Sequence, residues 1–257
     1  MTTQNLGQEG FIWFIGKVED RNDPEKQGRV RIRVFGLHGD NVSIPTNTLP
    51  WASILMPGYS SSLKQIGLSA TGVQVGSTVI GFFFDGVEST MPIVLGVLPG
   101  KNDIPKLASG QNTLNKQQMG PEPPTAYNAK YPFNKVFQTE SGHVVEIDDT
   151  PNFERLHTFH RSGTYSEIDH DGRRVNKIVG DDFEIVEKNK TVYIRGNINI
   201  EVGGTATITS PTVNIIGNVN VTGTITASGD VIGSGISLSG HTHPESNAPG
   251  GSTGAPS

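Results

Sequence analysis

Two histidines near the C-terminus, His241 and His243, are the residues of this chain whose type and spacing best fit a chemical site. In an extended segment, residues two apart point to the same side, so both imidazoles can reach one ion. Imidazole binds iron, zinc, copper and nickel. Two nitrogens make a weak metal site. Three copies of the chain around a three-fold axis would supply six nitrogens, and six-coordination disfavours the tetrahedral geometry of structural zinc. The alternative interpretation is a solvated histidine pair beside a flexible terminus.

Other ionisable residues give weaker patterns. Alternation places Glu167, Asp169 and Asp171 on one strand face. A glycoside hydrolase uses two such carboxylates, but a solvated outer face explains them with fewer assumptions. We find no nucleophile elbow, phosphate loop or dinucleotide fingerprint, so we predict no catalytic residues and no enzyme activity. The remaining histidines lack a ligand-like grouping and are expected to have surface or packing roles: His38, His143, His157, His160 and His170.

Composition excludes several classes of protein. The net charge of −5 and the pI of about 5.8 give no electrostatic attraction to nucleic acid or to an anionic membrane. Without cysteine there are no disulfides and no thiolate metal sites. The N-terminus lacks the basic and apolar regions of a secretory signal, and no stretch approaches the roughly 18 apolar residues that cross a bilayer.

Within residues 1–100, several short segments that are apolar or alternate between apolar and polar residues predict an all-β domain. Between Arg29 and Phe35, three apolar residues fall on one face and three arginines on the other. The arginine stripe is expected to be a solvated or partner-facing surface. Five or so short strands in this length suit a small barrel of the OB type. The other predicted strands are Phe11–Ile15, Trp51–Met56, Val73–Phe84 and Pro92–Val97.

The middle of the chain divides into a linker and a second β-rich region. Residues 101–135 are rich in Asn, Gln and Pro, which predicts a linker. From 136 to 196, short segments of mixed charge end at regularly spaced turn signals. This spacing predicts a repeated meander, which is the upper part of a β-stalk. The turn signals are Ser141-Gly142, Asp148-Asp149, Ser162-Gly163, Asp171-Gly172 and Gly180-Asp181.

From Gly196 to the end, the chain contains no Lys, Arg, Phe, Trp or Tyr. β-branched residues alternate with Thr, Asn or Ser, a pattern typical of half-buried strands. Glycine recurs at every sixth position, at Gly217, Gly223, Gly229 and Gly235. The fourth position after these glycines shrinks along the chain, from Val221 through Ala227 to Gly233. We therefore predict a β-helix that tapers over residues 197–238 and ends in an apex at 239–257.

This repeat needs more than one chain to become stable. Each hexad offers about two apolar side chains, each contributing roughly 1.5–3 kcal/mol when fully buried. Ordering six residues costs roughly 1–2 kcal/mol each in backbone entropy. Neighbouring chains that cover the apolar side chains and pair the backbone edges would reverse this balance. An intertwined oligomer is therefore predicted, with a single-chain β-solenoid or a flexible tail as the alternatives.

Three segments carry a resemblance to the central spikes of contractile phage tails and to the valine-glycine repeat spikes of type VI secretion systems. Val75–Gly86 and Pro92–Gly96 are similar to the OB-fold domain of that family. Thr139–Pro151 resembles the start of its trimeric β-stalk, and Ser239–Pro244 resembles its iron-binding apex. The resemblance covers nearly the whole chain.

The resemblance implies a fold and a function. The expected fold is all-β, with an N-terminal OB-fold barrel followed by an intertwined homotrimeric β-helix or β-prism stalk. The expected protein is a structural, membrane-piercing spike in the tail baseplate of the virion, docked through its barrel onto a hub protein and directed at the host outer membrane. His241 and His243 of three chains would bind one iron ion through six nitrogens, with zinc and nickel as weaker candidates.

One departure from the family pattern limits the expected activity. Some family members carry a lysozyme domain between the barrel and the stalk. Here that interval is only about 35 residues, too short for such a domain. Cell-wall cleavage is therefore not expected.

Three other functions remain open from the sequence. A secretion-system or bacteriocin spike would have the same fold. A carbohydrate-degrading trimeric tailspike would need a wide stalk with a carboxylate-lined groove, whereas this chain narrows and has few carboxylates towards its tip. An OB-fold nucleic-acid binder is disfavoured by the negative net charge.

Overall fold

Strands and turns make up the parts of the chain that the computed structural model describes, residues 12–100, 103–105 and 122–243. Two short 3-10 turns, Thr46–Thr48 and Gly86–Glu88, are the helical elements of these residues. No helix in the described ranges is long and apolar enough to span a bilayer. Phe11, most of the predicted linker and the apex beyond His243 lie outside the described residues.

The N-terminal strands close into a five-stranded barrel, in the order β1-β2-β3-β5-β4. The pairing is antiparallel except between β3 and β5, which run parallel. This arrangement confirms the predicted all-β fold with an OB-type barrel. The strands are β1 (Trp13–Asp20), β2 (Val30–Val34), β3 (Trp51–Ile54), β4 (Thr78–Phe83) and β5 (Pro92–Leu98).

The barrel interior is filled by alternate residues of its strands, as period-two patterning predicts. Gly81 occupies the tightest position. A Cβ atom there would lie 2.1 Å from the carbonyl oxygen of Ile93 and 2.6 Å from Cζ of Phe14. Glycine is therefore required where β4 approaches β5 across the core. The buried core residues are Phe14, Val18, Val30, Ile32, Val34, Ala52, Val79, Phe83 and Val94.

The barrel itself supplies partners for the three predicted arginines, which are Arg29, just before β2, and Arg31 and Arg33, within it. Arg29 contacts the carboxylate of Asp23 at 2.7 Å, and Arg33 contacts that of Glu19 at 2.6 Å. The Arg31 guanidinium donates to two backbone carbonyls and lies 4.5 Å from the ring centroid of Trp51. The prediction of a solvated or partner-facing stripe was therefore wrong, because local acceptors already use these charges.

A second sheet follows, a five-stranded antiparallel meander in the order β6-β7-β8-β9-β10. Three of its turns fall at predicted signals, at Ser141-Gly142, Ser162-Gly163 and Asp171-Gly172. The predicted meander is confirmed as far as Lys177, but the expected continuation to residue 196 past Gly180-Asp181 contains no strand, and Asp148 lies within a strand rather than in a turn. Its strands are β6 (Asn134–Gln138), β7 (Val144–Asp148), β8 (Arg155–Phe159), β9 (Tyr165–Ile168) and β10 (Arg174–Lys177).

After the meander, the described chain forms no strand from 178 to 231, and every residue of that stretch is exposed. The exposed residues include large apolar ones such as Ile200, at 74%, and Ile225, at 72%. Two hexad glycines, Gly217 and Gly223, have φ angles of 137° and 140°, which side chains rarely allow. The predicted β-helix and its taper need partner chains, so they stay predictions. A short hairpin of β11 (Ile232–Gly233) and β12 (Ile236–Ser237) ends the described chain before the histidines.

Candidate functional site

The histidine pair follows a hairpin that is fixed by a carboxylate. Asp230 accepts hydrogen bonds from the backbone N–H of Ser239 at 3.1 Å and from its hydroxyl at 2.9 Å. The hydroxyl groups of Ser237 and Ser239 lower the pKa of Asp230 to about 2, so the carboxylate is ionised at neutral pH. The backbone N–H of Leu238 donates to the carbonyl of Val231 at 2.9 Å. These bonds set the direction in which the chain leaves β12.

His241 has the hydrogen bonding of a metal ligand. Its Nδ1 lies 3.1 Å from the carbonyl oxygens of Ser237 and Leu238. Because carbonyl oxygens only accept hydrogen bonds, Nδ1 carries the proton and Nε2 keeps the lone pair that a metal needs. Histidine ligands in metal sites usually donate their second nitrogen to such an acceptor. The rings of His241 and His243 are 5.0 Å apart, at an angle of 86°.

The described residues of one chain supply two candidate ligands at this tip, His241 and His243. Among the described residues, no group of three or more His, Asp or Glu side chains is placed to hold a metal ion. The structure brings the two predicted ligands together, and their hydrogen bonding fits a transition metal. Two ligands do not complete a metal site, so the site stays a prediction.

Another pair of histidines was not predicted as a group. The rings of His143 and His160, at the ends of adjacent strands, are in contact, with centroids 4.5 Å apart and planes tilted by 43°. Nδ1 of His160 accepts the backbone N–H of Ser162 at 3.1 Å, so its proton lies on Nε2 in the neutral ring. This protonation is the opposite of that found in His241 and does not favour metal binding through Nε2.

The carboxylates near Glu167 are not a solvated face. Glu167 is only 3% exposed and Asp169 only 9%, whereas Asp171 is exposed. Asp169 accepts the side-chain N–H of Arg173 at 2.9 Å, and Glu167 accepts that of Arg155 at 2.6 Å. The prediction of an outer solvated face was therefore wrong for the first two. Because both are already paired and covered, they do not form an open hydrolase groove.

Glu167 belongs to a buried charged cluster that sequence reasoning missed, formed with Glu146, Arg155 and His157. The Arg155 side chain is 1% exposed and bridges the two glutamates, which are themselves almost fully buried. It also donates to Nδ1 of His157. One arginine thus satisfies three partners inside the sheet.

Burial and charge shift the pKa values of this cluster in different directions. Burial raises the pKa of Glu146 despite the nearby Arg155. Burial and the positive charge of Arg155 lower the pKa of His157 to about 4, so this ring is neutral at pH 7. For Glu167, burial acts to raise the pKa, but hydrogen bonds from Arg155, Ala126 and Thr125 outweigh it and lower the pKa. The Arg155 guanidinium thus lies between Glu146 and Glu167 in a cluster whose side chains are almost fully buried.

The opposite face of the same sheet is apolar and uncovered. We call it the apolar face; it consists of Phe137, Val145, Ile147, Leu156 and Ile168, with exposures from 37% to 69%. We call the face that carries the charged cluster the polar face. Alternation along β7 and β8 separates the two sets cleanly. In an isolated chain this sheet therefore exposes the side chains that normally form a core.

Comparison with known proteins places these features in a family. Residues 36–152 match the family model described as the Gp5 N-terminal OB domain. "Protein Gp5" of Vibrio phage KVP40 is 36% identical over 277 residues, covering 79% of this chain and 66% of that protein. "Pre-baseplate central spike protein Gp5" of Enterobacteria phage T4 is 49% identical over 94 residues, covering 34% of this chain and 16% of that protein. The chain thus spans less than two thirds of the length of either relative.

Proposed function

Because this chain belongs to the family of Gp5-related central spike proteins of phage baseplates, we propose that it is the non-enzymatic, membrane-piercing spike of a contractile tail. The T4 relative is named as a pre-baseplate central spike protein, which supports a location in the tail baseplate of the virion. The observation that carries the proposal is an OB-type barrel followed, in the described residues, by a strand-free stretch at 178–231 whose large apolar side chains are exposed.

The assembly we propose is a homotrimer. The apolar face of the meander and the exposed Ile and Val residues below it both require cover from outside the chain. Three identical chains around one axis would bury both sets and would pair the open strand edges. The barrels, at the other end of the chain, would then bind the tail hub, and the narrow end would point towards the host outer membrane.

The tip of this trimer would bind one iron ion through His241 and His243 of each chain. The Nδ1–H bond of His241 to backbone carbonyls supports this role, because it leaves Nε2 as the ligand atom. The ion would cross-link three chain ends where the taper leaves little apolar core. Asp230 would hold the approach to the histidines in place through its bonds to Ser239.

The mechanism is mechanical rather than catalytic. Sheath contraction would supply the work, and a closed β-structure without free edges would transmit it to the membrane. The chain itself contributes strands that pair around the axis and a tip held together by its histidines. The short interval between Leu98 and Asn134 supports a spike without an inserted lysozyme domain.

Quantitative mass spectrometry of purified virions tests the proposed location and copy number. We expect three copies of this chain per particle, removed together with the baseplate when tails are dissociated. Absence of the chain from purified tails would contradict the proposal.

Native mass spectrometry of the full chain tests the tip. We expect a trimer with one iron ion, and a trimer without metal when His241 and His243 are both replaced by alanine. Replacing His170, which lies in a turn of the meander, by alanine is the matched control and should leave the metal in place. A double variant that keeps stoichiometric metal would rule out the assigned ligands.

A further inference from the structure

A single extended segment covers the polar face of the meander. We call residues 122–130 the covering segment; it precedes β6 and contains no strand or helix. Its first residue, Glu122, accepts hydrogen bonds from the Tyr165 hydroxyl at 2.8 Å and from the Lys177 ammonium at 2.6 Å. These partners belong to β9 and β10, so the segment begins at the edge of the sheet farthest from β6.

The middle of the covering segment binds the charged cluster. The Thr125 hydroxyl donates to one oxygen of Glu167 at 2.9 Å, and the backbone N–H of Ala126 donates to the other at 3.1 Å. The Tyr127 ring lies 4.9 Å from the Arg155 guanidinium carbon, within cation–π range. Both oxygens of Glu167 are therefore occupied by the covering segment as well as by Arg155.

The end of the covering segment is fixed beside β7. The backbone N–H of Lys130 donates to the Thr150 hydroxyl at 3.0 Å, and that hydroxyl donates to Asp148 at 2.6 Å. Ala129, just before it, is 8% exposed. The segment thus crosses the sheet from β10 to the β6–β7 side and makes a specific contact at its start, middle and end.

The contacts are specific, as in a binding site, and differ from those of a loop that only crosses the surface of a sheet. Each uses a buried or half-buried side chain, and the side chains of Glu167 and Arg155, which the segment contacts, are only 3% and 1% exposed. An uncovered sheet of this sequence would more readily bury its apolar face and leave its charges in water. The covering segment reverses this preference by supplying hydrogen bonds that the charged side chains need.

We propose that the polar face is a built binding site for the covering segment, with Glu167 and Glu122 as its anchor points. Occupation of this face by the chain's own segment reserves the apolar face for other copies of the chain, a consequence that rests on the proposed trimer. The function of the covering segment is then to select which side of the sheet faces the assembly axis. The polar network acts as a determinant of specificity.

Hydrogen exchange and trypsin cleavage of the full chain test this binding site. In the wild-type protein, the amides of Ala126 and Lys130 should exchange slowly, and the bond after Lys130 should resist trypsin. Thr125→Val removes the hydroxyl bond to Glu167 without changing side-chain volume, and Glu122→Gln removes the charge that Lys177 binds. Each should accelerate exchange at these two amides by about tenfold and expose the bond after Lys130 to trypsin.

Matched controls lie outside the contact. Thr158→Val changes a threonine on the opposite face, and Glu88→Gln changes an exposed glutamate of the barrel; neither should alter exchange at Ala126 or Lys130. Exchange of the β7 and β8 amides reports whether the sheet itself stays folded. If Glu122→Gln unfolds the sheet, the exchange measured in Thr125→Val alone provides the test.

The proposal is overturned if the two amides exchange as fast as in an unfolded peptide in the wild-type protein. It is also overturned if neither variant changes their exchange. Because the readout is local to one chain, its failure would leave the proposed spike function untouched. Conversely, absence of the chain from tails would not affect this result.

Discussion

Arg155 is the single side chain on which the polar face depends most. Its charge compensates Glu146 and Glu167, both nearly inaccessible to water. Replacing it by methionine, of similar length, would leave two buried carboxylates without a cation. We expect the free energy of unfolding of the meander to fall by about 3–5 kcal/mol, as measured by urea denaturation. Arg174→Met, on exposed β10, should change it by less than about 1 kcal/mol.

His157 makes the meander sensitive to acid. Its pKa is about 4 in the folded chain and about 6.5 in an unfolded one, so the unfolded state takes up the proton first. The stability contributed by the neutral ring is complete above pH 6.5 and is lost as the pH falls through 4. Glu146, Glu167 and Arg155 face this ring, and Arg155 opposes its protonation.

Comparison with His157→Gln isolates this effect. The variant keeps an acceptor for Arg155 but does not titrate, so its stability should fall less than that of the wild-type protein between about pH 7 and pH 4.5. Urea unfolding at several pH values measures the difference. Parallel curves for the two proteins over this interval would show that His157 does not carry the pH dependence.

Residue-level prediction succeeded where local geometry decides the outcome. The buried set Val30, Ile32 and Val34 followed from alternation alone. The same rule failed in the meander, because it identifies two faces without saying which one is covered. The alternation of β7, β8 and β9 places Glu146, Arg155 and Glu167 on one face, so the sequence did contain a signal for the cluster. Alternation does not indicate that this face is the buried one; the contacts of the covering segment show that. A contact between distant parts of the chain produces no periodic pattern in the amino-acid sequence.

At the scale of elements, β4 and β5 depend on the absence of a side chain at Gly81. Gly81→Ala would force a methyl group against the Ile93 carbonyl and the Phe14 ring. We expect the barrel to lose about 1–3 kcal/mol of unfolding free energy, measured by thermal denaturation. Gly96→Ala on the neighbouring strand has open space around its Cβ position and should have little effect. Equal losses in both variants would contradict a packing origin.

The strands themselves were largely predictable, and the lower stalk was not. Barrel and meander strands follow from alternation and turn residues, and their partners lie nearby in the same chain. The hexad region has equally regular alternation, yet its partners are not in the chain. The predicted boundaries of the linker, stalk, taper and apex stay predictions for that reason. At the tip, spacing identified His241 and His243, whereas the Asp230 bonds that position them depend on the hairpin fold.

For the whole molecule, we expect the apolar face to decide whether the proposed trimer forms. Leu156 is half exposed at the centre of that face. We expect Leu156→Glu to convert the trimer to monomers while the barrel remains folded, because a charge cannot be buried there without a partner. Light scattering after size-exclusion chromatography measures the mass, and circular dichroism the fold. Val42→Glu, at a 91% exposed barrel position, should remain trimeric, and a trimeric Leu156→Glu protein would place the interface elsewhere.

In the proposed trimer, the strand-free stretch at 178–231 has a consequence for inheritance. Chains made by two phage genomes in one infected cell enter a common pool. A chain with a disruptive mutation in this stretch, but with an intact apolar face, would still assemble with two other chains. It would then inactivate the spike that these chains form. If half of the chains are faulty, only about one spike in eight contains three sound copies. Such mutations would therefore be dominant in mixed infection, whereas a chain that cannot join its partners removes only itself.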